Sequence, residues 1–113
     1  MESPNQPLAP AAFYILFALA GGEKHGYAIM REARAASDNT FELGPATLYT
    51  TIQRLLDSGW IEEAQSPEGS DSRRRYYGLS GAGNIILQAE LKRMEAIVKR
   101  SKSLKLRPVR SAS

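Results

Sequence analysis

The stretch that decides the fold is residues 44–80, GPATLYTTIQRLLDSGWIEEAQSPEGSDSRRRYYGLS. In chain order it predicts a helix, a strand, a loop that ends in three consecutive arginines, and a return strand. A helix followed by a hairpin with a cationic tip is the organisation of a winged helix. We therefore predict a mainly α fold with a small β-wing.

The helix of this stretch has a clear start and two different faces. Gly44 suits the N-cap, and Pro45 suits the first helical position because its missing N–H would be unpaired there anyway. Apolar side chains at helical spacing should face the core, namely Leu48, Ile52, Leu55 and Leu56. The opposite face offers candidates for contacts with base edges in a major groove, namely Thr47, Tyr49, Thr50 and Gln53. We expect Arg54 to meet phosphate, and for Tyr49, on the flank, simple packing is the alternative.

The predicted wing carries the cations. Trp60 should anchor the core at the start of the first strand, which runs to about Gln65. We expect Arg73, Arg74 and Arg75 to contact DNA phosphates, although a solvated turn is the plainer alternative.

Two tyrosines follow the arginines. Tyr76 and Tyr77 alternate across the return strand, so one should be buried while the other reaches the DNA backbone. We assign the DNA contact to Tyr77.

The remaining elements divide the chain into four parts. Residues 1–7 are expected to form a flexible arm, 8–80 the winged-helix domain, 81–103 a dimerisation helix, and 104–113 a disordered basic tail. Within the domain we predict a first helix from about Pro10 to Ala20, a second from about Gly26, and a very short strand at Thr40–Leu43.

The last helix should be capped by Ser80, begin weakly because of its glycines, and run from about Asn84 to Ser101. Four of its apolar residues follow a coiled-coil spacing of four, three and four. They are Leu87, Leu91, Met94 and Val98. We expect this seam to form a homodimer.

Composition excludes several classes of protein. The chain has 113 residues and no cysteine, so disulfides, cysteine-ligated zinc and a thiol nucleophile are ruled out. His25 is the only histidine and is interpreted as a helix-start residue, so no metal site or cofactor is expected. The apolar segment at residues 8–22 is too short to span a membrane and has no cationic leader. We expect a cytoplasmic protein that is not an enzyme.

The net charge of +3 conceals an asymmetry. Residues 91–113 hold eight basic residues and one acidic residue, whereas residues 1–90 hold seven basic and eleven acidic residues. Cations are therefore concentrated at the wing tip and the C-terminal end, which favours a nucleic-acid partner. For the tail, phosphate contacts and improved solubility remain equal alternatives.

From about Leu8 to Leu104, the chain resembles the PadR family of winged-helix transcriptional regulators, in its short subgroup with one C-terminal helix. The matching pieces are His25-Gly26-Tyr27, Leu48-Tyr49, Arg54-Leu55, and residues 74–80 with Gly83. Thr50 departs from the family, since many members have proline there. The resemblance implies a homodimer built on the last helix, binding to a DNA operator and, in many members, a small-molecule effector.

Two functions remain open at this point. The favoured one is a sequence-specific regulator that binds an inverted-repeat operator in double-stranded DNA as a homodimer. We expect it to act as a repressor. The alternative is a winged-helix module for protein assembly without specific DNA binding. A protein interface would favour a more apolar helix face than the threonine-rich one found here.

Overall fold

The computed structural model describes residues 6–69 and 73–109. These residues form four helices and three short strands. In chain order the elements are α1 (Pro10–Ala20), β1 (Lys24–His25), α2 (Gly26–Ala36), α3 (Pro45–Asp57), β2 (Ile61–Ala64), β3 (Tyr76–Leu79) and α4 (Gly81–Ser101). The strands form one antiparallel sheet in the order β1-β3-β2. The predicted mainly α winged helix with a small β-wing is confirmed.

The core is built around α1. This helix is apolar nearly all round and packs against α2, α3, α4 and β3, with Ile15 and Leu16 completely buried. Leu48, Ile52 and Leu55 close the core from α3. Burying an aliphatic side chain of this size contributes roughly 1.5–3 kcal/mol, so this layer supplies much of the stability that orients α3.

The end of α3 is set by a glycine turn. Gly59 has a φ of 77°, and the backbone N–H of Trp60 donates to the carbonyl of Leu55 at 3.0 Å. This closes the helix in the manner of a Schellman motif, which favours glycine because a side chain is strained at positive φ. The turn directs the buried Trp60 into the core, as the sequence predicts.

The last helix starts at Gly81, directly after the predicted cap Ser80. The hydroxyl of Ser80 accepts a hydrogen bond from the N–H of Gly83 at 3.0 Å and donates one to the carbonyl of Gly59 at 2.6 Å. A Cβ on Gly83 would lie 1.9 Å from the carbonyl oxygen of Trp60. Gly83 is therefore a site of close packing between α4 and the start of the wing, and the Ser80 cap offsets its poor helix propensity.

Two strand predictions differ from the structure. Residues 40–43 form no strand: Thr40 lies in a bend after the turn at residues 37–39, and the hydroxyl of Ser37 accepts from the N–H of Phe41 at 3.0 Å. The added strand β1 pairs Lys24 with Tyr77 and His25 with Tyr76. Two residues are too few to show an alternating pattern, so this strand had no sequence signal.

The start of the domain, directly after the predicted arm, is attached to α4. The buried Glu90 accepts a hydrogen bond from the N–H of Leu8 at 3.2 Å and pairs with Arg93. Residues 1–5 of the predicted arm and residues 110–113 of the predicted tail lie outside the described part of the chain. Within residues 6–69 and 73–109, no helix is both long and apolar enough to cross a lipid bilayer.

Candidate nucleic-acid interface

The outer face of α3 is polar and accessible. The side chains predicted to contact DNA from this helix are all exposed: Thr47, Tyr49, Thr50, Gln53 and Arg54. Between them Leu48, Thr51 and Ile52 are buried, so the helix has one core face and one exposed face. The amide of Gln53 donates to Asp57 Oδ1 at 3.0 Å, which leaves its second N–H and its carbonyl oxygen for other contacts.

Gly26 brings α2 and α3 close together. A Cβ at this position would lie 2.7 Å from the hydroxyl oxygen of Tyr49 and 3.2 Å from a methyl carbon of Leu48. Only glycine lets the Tyr49 ring lie across the start of α2. Tyr49 nevertheless remains 54% exposed, so it is available for contacts as well as for packing.

A concavity of about 420 Å³ lies between the start of α2, α3 and the wing. Its rim carries His25, Tyr27, Tyr49 and the arginines at 73–75. Residues far apart in sequence thus form one cationic and aromatic surface next to the polar face of α3. Hydroxyl and guanidinium donors of this kind suit the phosphates of a nucleic acid.

Arg75 makes only a weak contact with its acidic neighbour on the wing. Its Nη1 lies 3.6 Å from Glu63 Oε1, and both side chains are more than half exposed. An ion pair of this kind contributes about 0–1 kcal/mol. Glu63 therefore competes little with an anionic ligand at Arg75.

His25 joins the wing to α2. Its Nδ1 caps the helix by accepting from the N–H of Ala28 at 3.2 Å, and its Nε2 lies 2.9 Å from Nη1 of Arg74. Burial lowers the pKa of this imidazole, and the charges of Arg74 and Arg31 lower it further. The lowered pKa favours the neutral form of the ring. Its predicted place at a helix start is confirmed.

Tyr77 corrects one assignment made from the sequence. It was expected to reach the DNA backbone, but it is only 4% exposed and belongs to the core beneath the concavity. Burial raises the pKa of its hydroxyl. Its neighbour Tyr76 is the more accessible of the two, and its ring meets His25 edge-on at 5.3 Å. Alternation along a strand predicts that one of the two tyrosines is buried and the other exposed, but it does not predict which one faces the core.

Sequence reasoning missed His25 and Tyr27 as members of this surface. The available signal was the His25-Gly26-Tyr27 motif, but only the pairing of β1 with β3 brings it to the wing. Arg31 extends the positive charge along α2, with its guanidinium carbon 5.5 Å from the centre of the Tyr27 ring.

A separate apolar stripe runs along α4. Leu91, Met94 and Val98 are exposed, as the seam prediction requires, and Ile97 beside them is 63% exposed. Leu87 corrects the prediction, because it is 3% exposed and packs in the core of its own chain. The stripe available to a partner therefore begins one turn later than predicted.

Known proteins share this sequence pattern and fold. The sequence profile described as the transcriptional regulator PadR-like family matches residues 15–89. An uncharacterized protein of Lysinibacillus sphaericus is 32% identical over 70 residues, and the match covers 62% of this chain and 64% of that protein. The chain thus spans less than two thirds of that relative's length.

Solved structures with a similar fold include transcriptional regulators. A transcriptional regulator from Clostridium thermocellum is 25% identical with a TM-score of 0.67, covering 85% of this chain and 90% of that one. A PadR family transcription regulator from hypervirulent Clostridium difficile is 24% identical with a TM-score of 0.68, covering 83% of this chain and 96% of that one, and supports the fold. The chain belongs to the PadR-like family of transcriptional regulators.

Proposed function

We propose that the protein is a sequence-specific regulator of transcription that represses by binding double-stranded DNA as a homodimer in the cytoplasm. The observation that carries this proposal is that the polar face of α3 and the cationic concavity lie next to each other. The polar face of α3 continues, through Tyr49, into the concavity rimmed by the arginines at 73–75. A helix suited to base edges thus lies beside cations suited to phosphate.

The two parts of this surface have different roles in the proposal. Thr47, Tyr49, Thr50 and Gln53 would contact bases in the major groove, where hydroxyl and amide groups distinguish base pairs. Arg54 and the wing arginines would contact phosphates, which supply affinity without sequence preference.

The apolar stripe of α4 supports a homodimer. Four apolar side chains of this stripe are exposed in the single chain: Leu91, Met94, Ile97 and Val98. The α4 helix of a second copy has apolar residues at the same coiled-coil spacing, so the two stripes can pack against each other. Two α3 helices related by a two-fold axis would enter successive major grooves. The operator is then an inverted repeat with half-sites about one helical turn, or a multiple of it, apart.

The alternative is a module for protein assembly. The outer face of α3 argues against it, because two threonines, a glutamine and an arginine make a poor core for a protein interface.

Control of DNA binding by an aromatic effector has less support than control by the amount of the protein in the cell. Residues 81–101 of α4 contain no Phe, Tyr or Trp, so a planar compound at the dimer seam would lack stacking partners there. Phe13 and Tyr14 of α1 are already in ring contact at 5.2 Å, and Tyr14 stacks on Phe41 at 5.0 Å. Calorimetry against phenolic acids and cationic dyes tests this point. Saturable micromolar binding that lowers DNA affinity would reverse our preference.

The proposal as a whole is tested by selection from a random duplex library, followed by footprinting of the enriched sequences. We expect an inverted repeat to be enriched and two major grooves on one side of the duplex to be protected. Recovery of unrelated sequences, bound no better than random duplex, would favour the assembly module.

A further inference from the structure

His25 uses only one of its two ring nitrogens to cap its own helix. Its Nδ1 accepts the hydrogen bond from the N–H of Ala28 at 3.2 Å, so Nδ1 carries no proton. A neutral imidazole has a single N–H, which must then be on Nε2.

The group that faces this N–H is another donor. Nε2 of His25 lies 2.9 Å from Nη1 of Arg74, and a guanidinium has donors only. Two donors at this distance do not satisfy each other. The opposite tautomer would let Nε2 accept from Arg74, but it would place a proton on Nδ1 against the N–H of Ala28. Either way the pair lacks one acceptor.

The surroundings favour an anionic oxygen as that acceptor. The concavity is also lined by Arg73, Arg75 and the three tyrosines Tyr27, Tyr49 and Tyr77, and none of the described residues that line it is acidic. Glu63, on the neighbouring strand, meets Arg75 only at 3.6 Å. Positive charge and hydroxyl donors therefore converge on the place where the acceptor is missing.

We propose that the Nε2–H of His25 and the guanidinium of Arg74 bind oxygens of one and the same DNA backbone phosphate. This inference rests on the proposed function and adds a specific contact to it. The shared phosphate would connect α2 to the wing and so fix the wing beside α3. His25 acts here as a neutral donor, whereas Arg74 supplies the charge.

The substitution that isolates this role is His25→Asn. Asparagine is among the best N-cap residues, so its side-chain oxygen can still accept from the N–H of Ala28. Its amide nitrogen then takes the place of the ring's Cδ2, so no donor remains at the position that Nε2 occupies. We expect an unchanged melting temperature and an affinity for the selected operator that is lower by about tenfold or more, the typical effect of losing one hydrogen bond to a charged group.

The salt dependence of operator affinity distinguishes the role of His25 from that of Arg74. Arg74→Ala should flatten the plot of log affinity against log salt by about one per protomer, because one cation no longer neutralises a phosphate. His25→Asn should leave that slope unchanged, since a neutral ring displaces no counterion. The double variant should weaken binding by less than the product of the two single effects, because both residues serve one phosphate. Lys92→Ala on α4 serves as the matched control and should match the parent.

Nuclear magnetic resonance tests the contact directly. His25 is the only histidine, so a long-range ¹H–¹⁵N spectrum contains a single imidazole. We expect the Nε2-protonated tautomer in the free protein and a shifted Nε2 signal with one equivalent of operator per dimer. Inorganic phosphate at the same phosphate concentration should shift it less.

Three results would overturn the inference: a His25→Asn variant that binds the operator as the parent does, an imidazole signal unmoved by operator, or a signal moved by inorganic phosphate but not by DNA. If the parent protein binds no duplex more tightly than random DNA, the proposed function fails and this inference fails with it. Parent binding with no effect of His25→Asn defeats the inference alone.

Discussion

Gly83→Ala should destabilise the protein although alanine is the better helix former. The added Cβ would lie 1.9 Å from the Trp60 carbonyl oxygen and 2.9 Å from a methyl carbon of Leu79. Real Cβ atoms essentially never approach within 3.0 Å, so α4 and the start of β2 must separate by about 1.1 Å. The first atom met is backbone, which cannot turn away as a side chain can.

The magnitude follows from what this separation disturbs. Overpacking of a core typically costs about 1–3 kcal/mol. Moving α4 also strains the hydrogen bond from the N–H of Ser80 to the carbonyl of Trp60 at 3.1 Å and the Ser80 cap, worth about 1 kcal/mol. The gain in helix propensity offsets about 1 kcal/mol. We expect a net decrease of about 1–3 kcal/mol in the free energy of unfolding.

The assay is thermal denaturation followed by circular dichroism, at one fixed protomer concentration because the proposed homodimer would make the midpoint depend on concentration. A decrease in the middle of this range, about 2 kcal/mol, lowers the melting temperature by about 8 °C. Gly81→Ala is the matched control, since a Cβ there meets nothing within 4 Å, and it should melt at or above the parent temperature. Equal melting temperatures for the two variants would refute the packing argument.

Three other predictions concern the dimer, the approach of α2 to α3, and pH. Replacing Leu91 and Met94 with lysine should give a monomer by light scattering, because two charges would enter an apolar seam; an unchanged dimer would locate the interface elsewhere. Gly26→Ala should displace the Tyr49 ring and weaken DNA binding while changing the melting temperature by only a few degrees, because a flexible side-chain end gives way; unaltered affinity would show that Tyr49 plays no part. The folded-state pKa of His25 lies below its ordinary value of 6.5, so its contribution to stability should be complete above pH 6.5 and be lost as the pH falls through the lowered value. Denaturant titrations across this range should show that decline in the parent and not in His25→Asn.

Local sequence signals predict the helices well. The bounds of α1 agree with the structure because Gly21 and Gly22 end an apolar run, and those of α3 agree because Pro45 starts it and Gly59 stops it. Such signals act within a few residues, so they do not depend on how the elements pack.

Features that depend on tertiary packing could not be predicted in the same way. Leu87 and Leu91 belong to one periodic stripe, yet α1 covers only the first part of α4, so one is core and the other exposed. The contact between His25 and Arg74 joins residues 49 positions apart through a two-residue strand. The spacing of apolar residues identifies the apolar face of a helix, but it does not show which neighbouring element covers that face.

The central claim is that α3 and the wing bind DNA together, and the salt dependence of operator affinity in Arg74→Ala/Arg75→Ala tests it most directly. We predict weaker binding to operator and to random duplex alike. The slope of log affinity against log salt should be flatter by about one for each phosphate that the wing no longer binds. Affinity and slope equal to those of the parent would contradict the account, because the wing would then make no contact with phosphate.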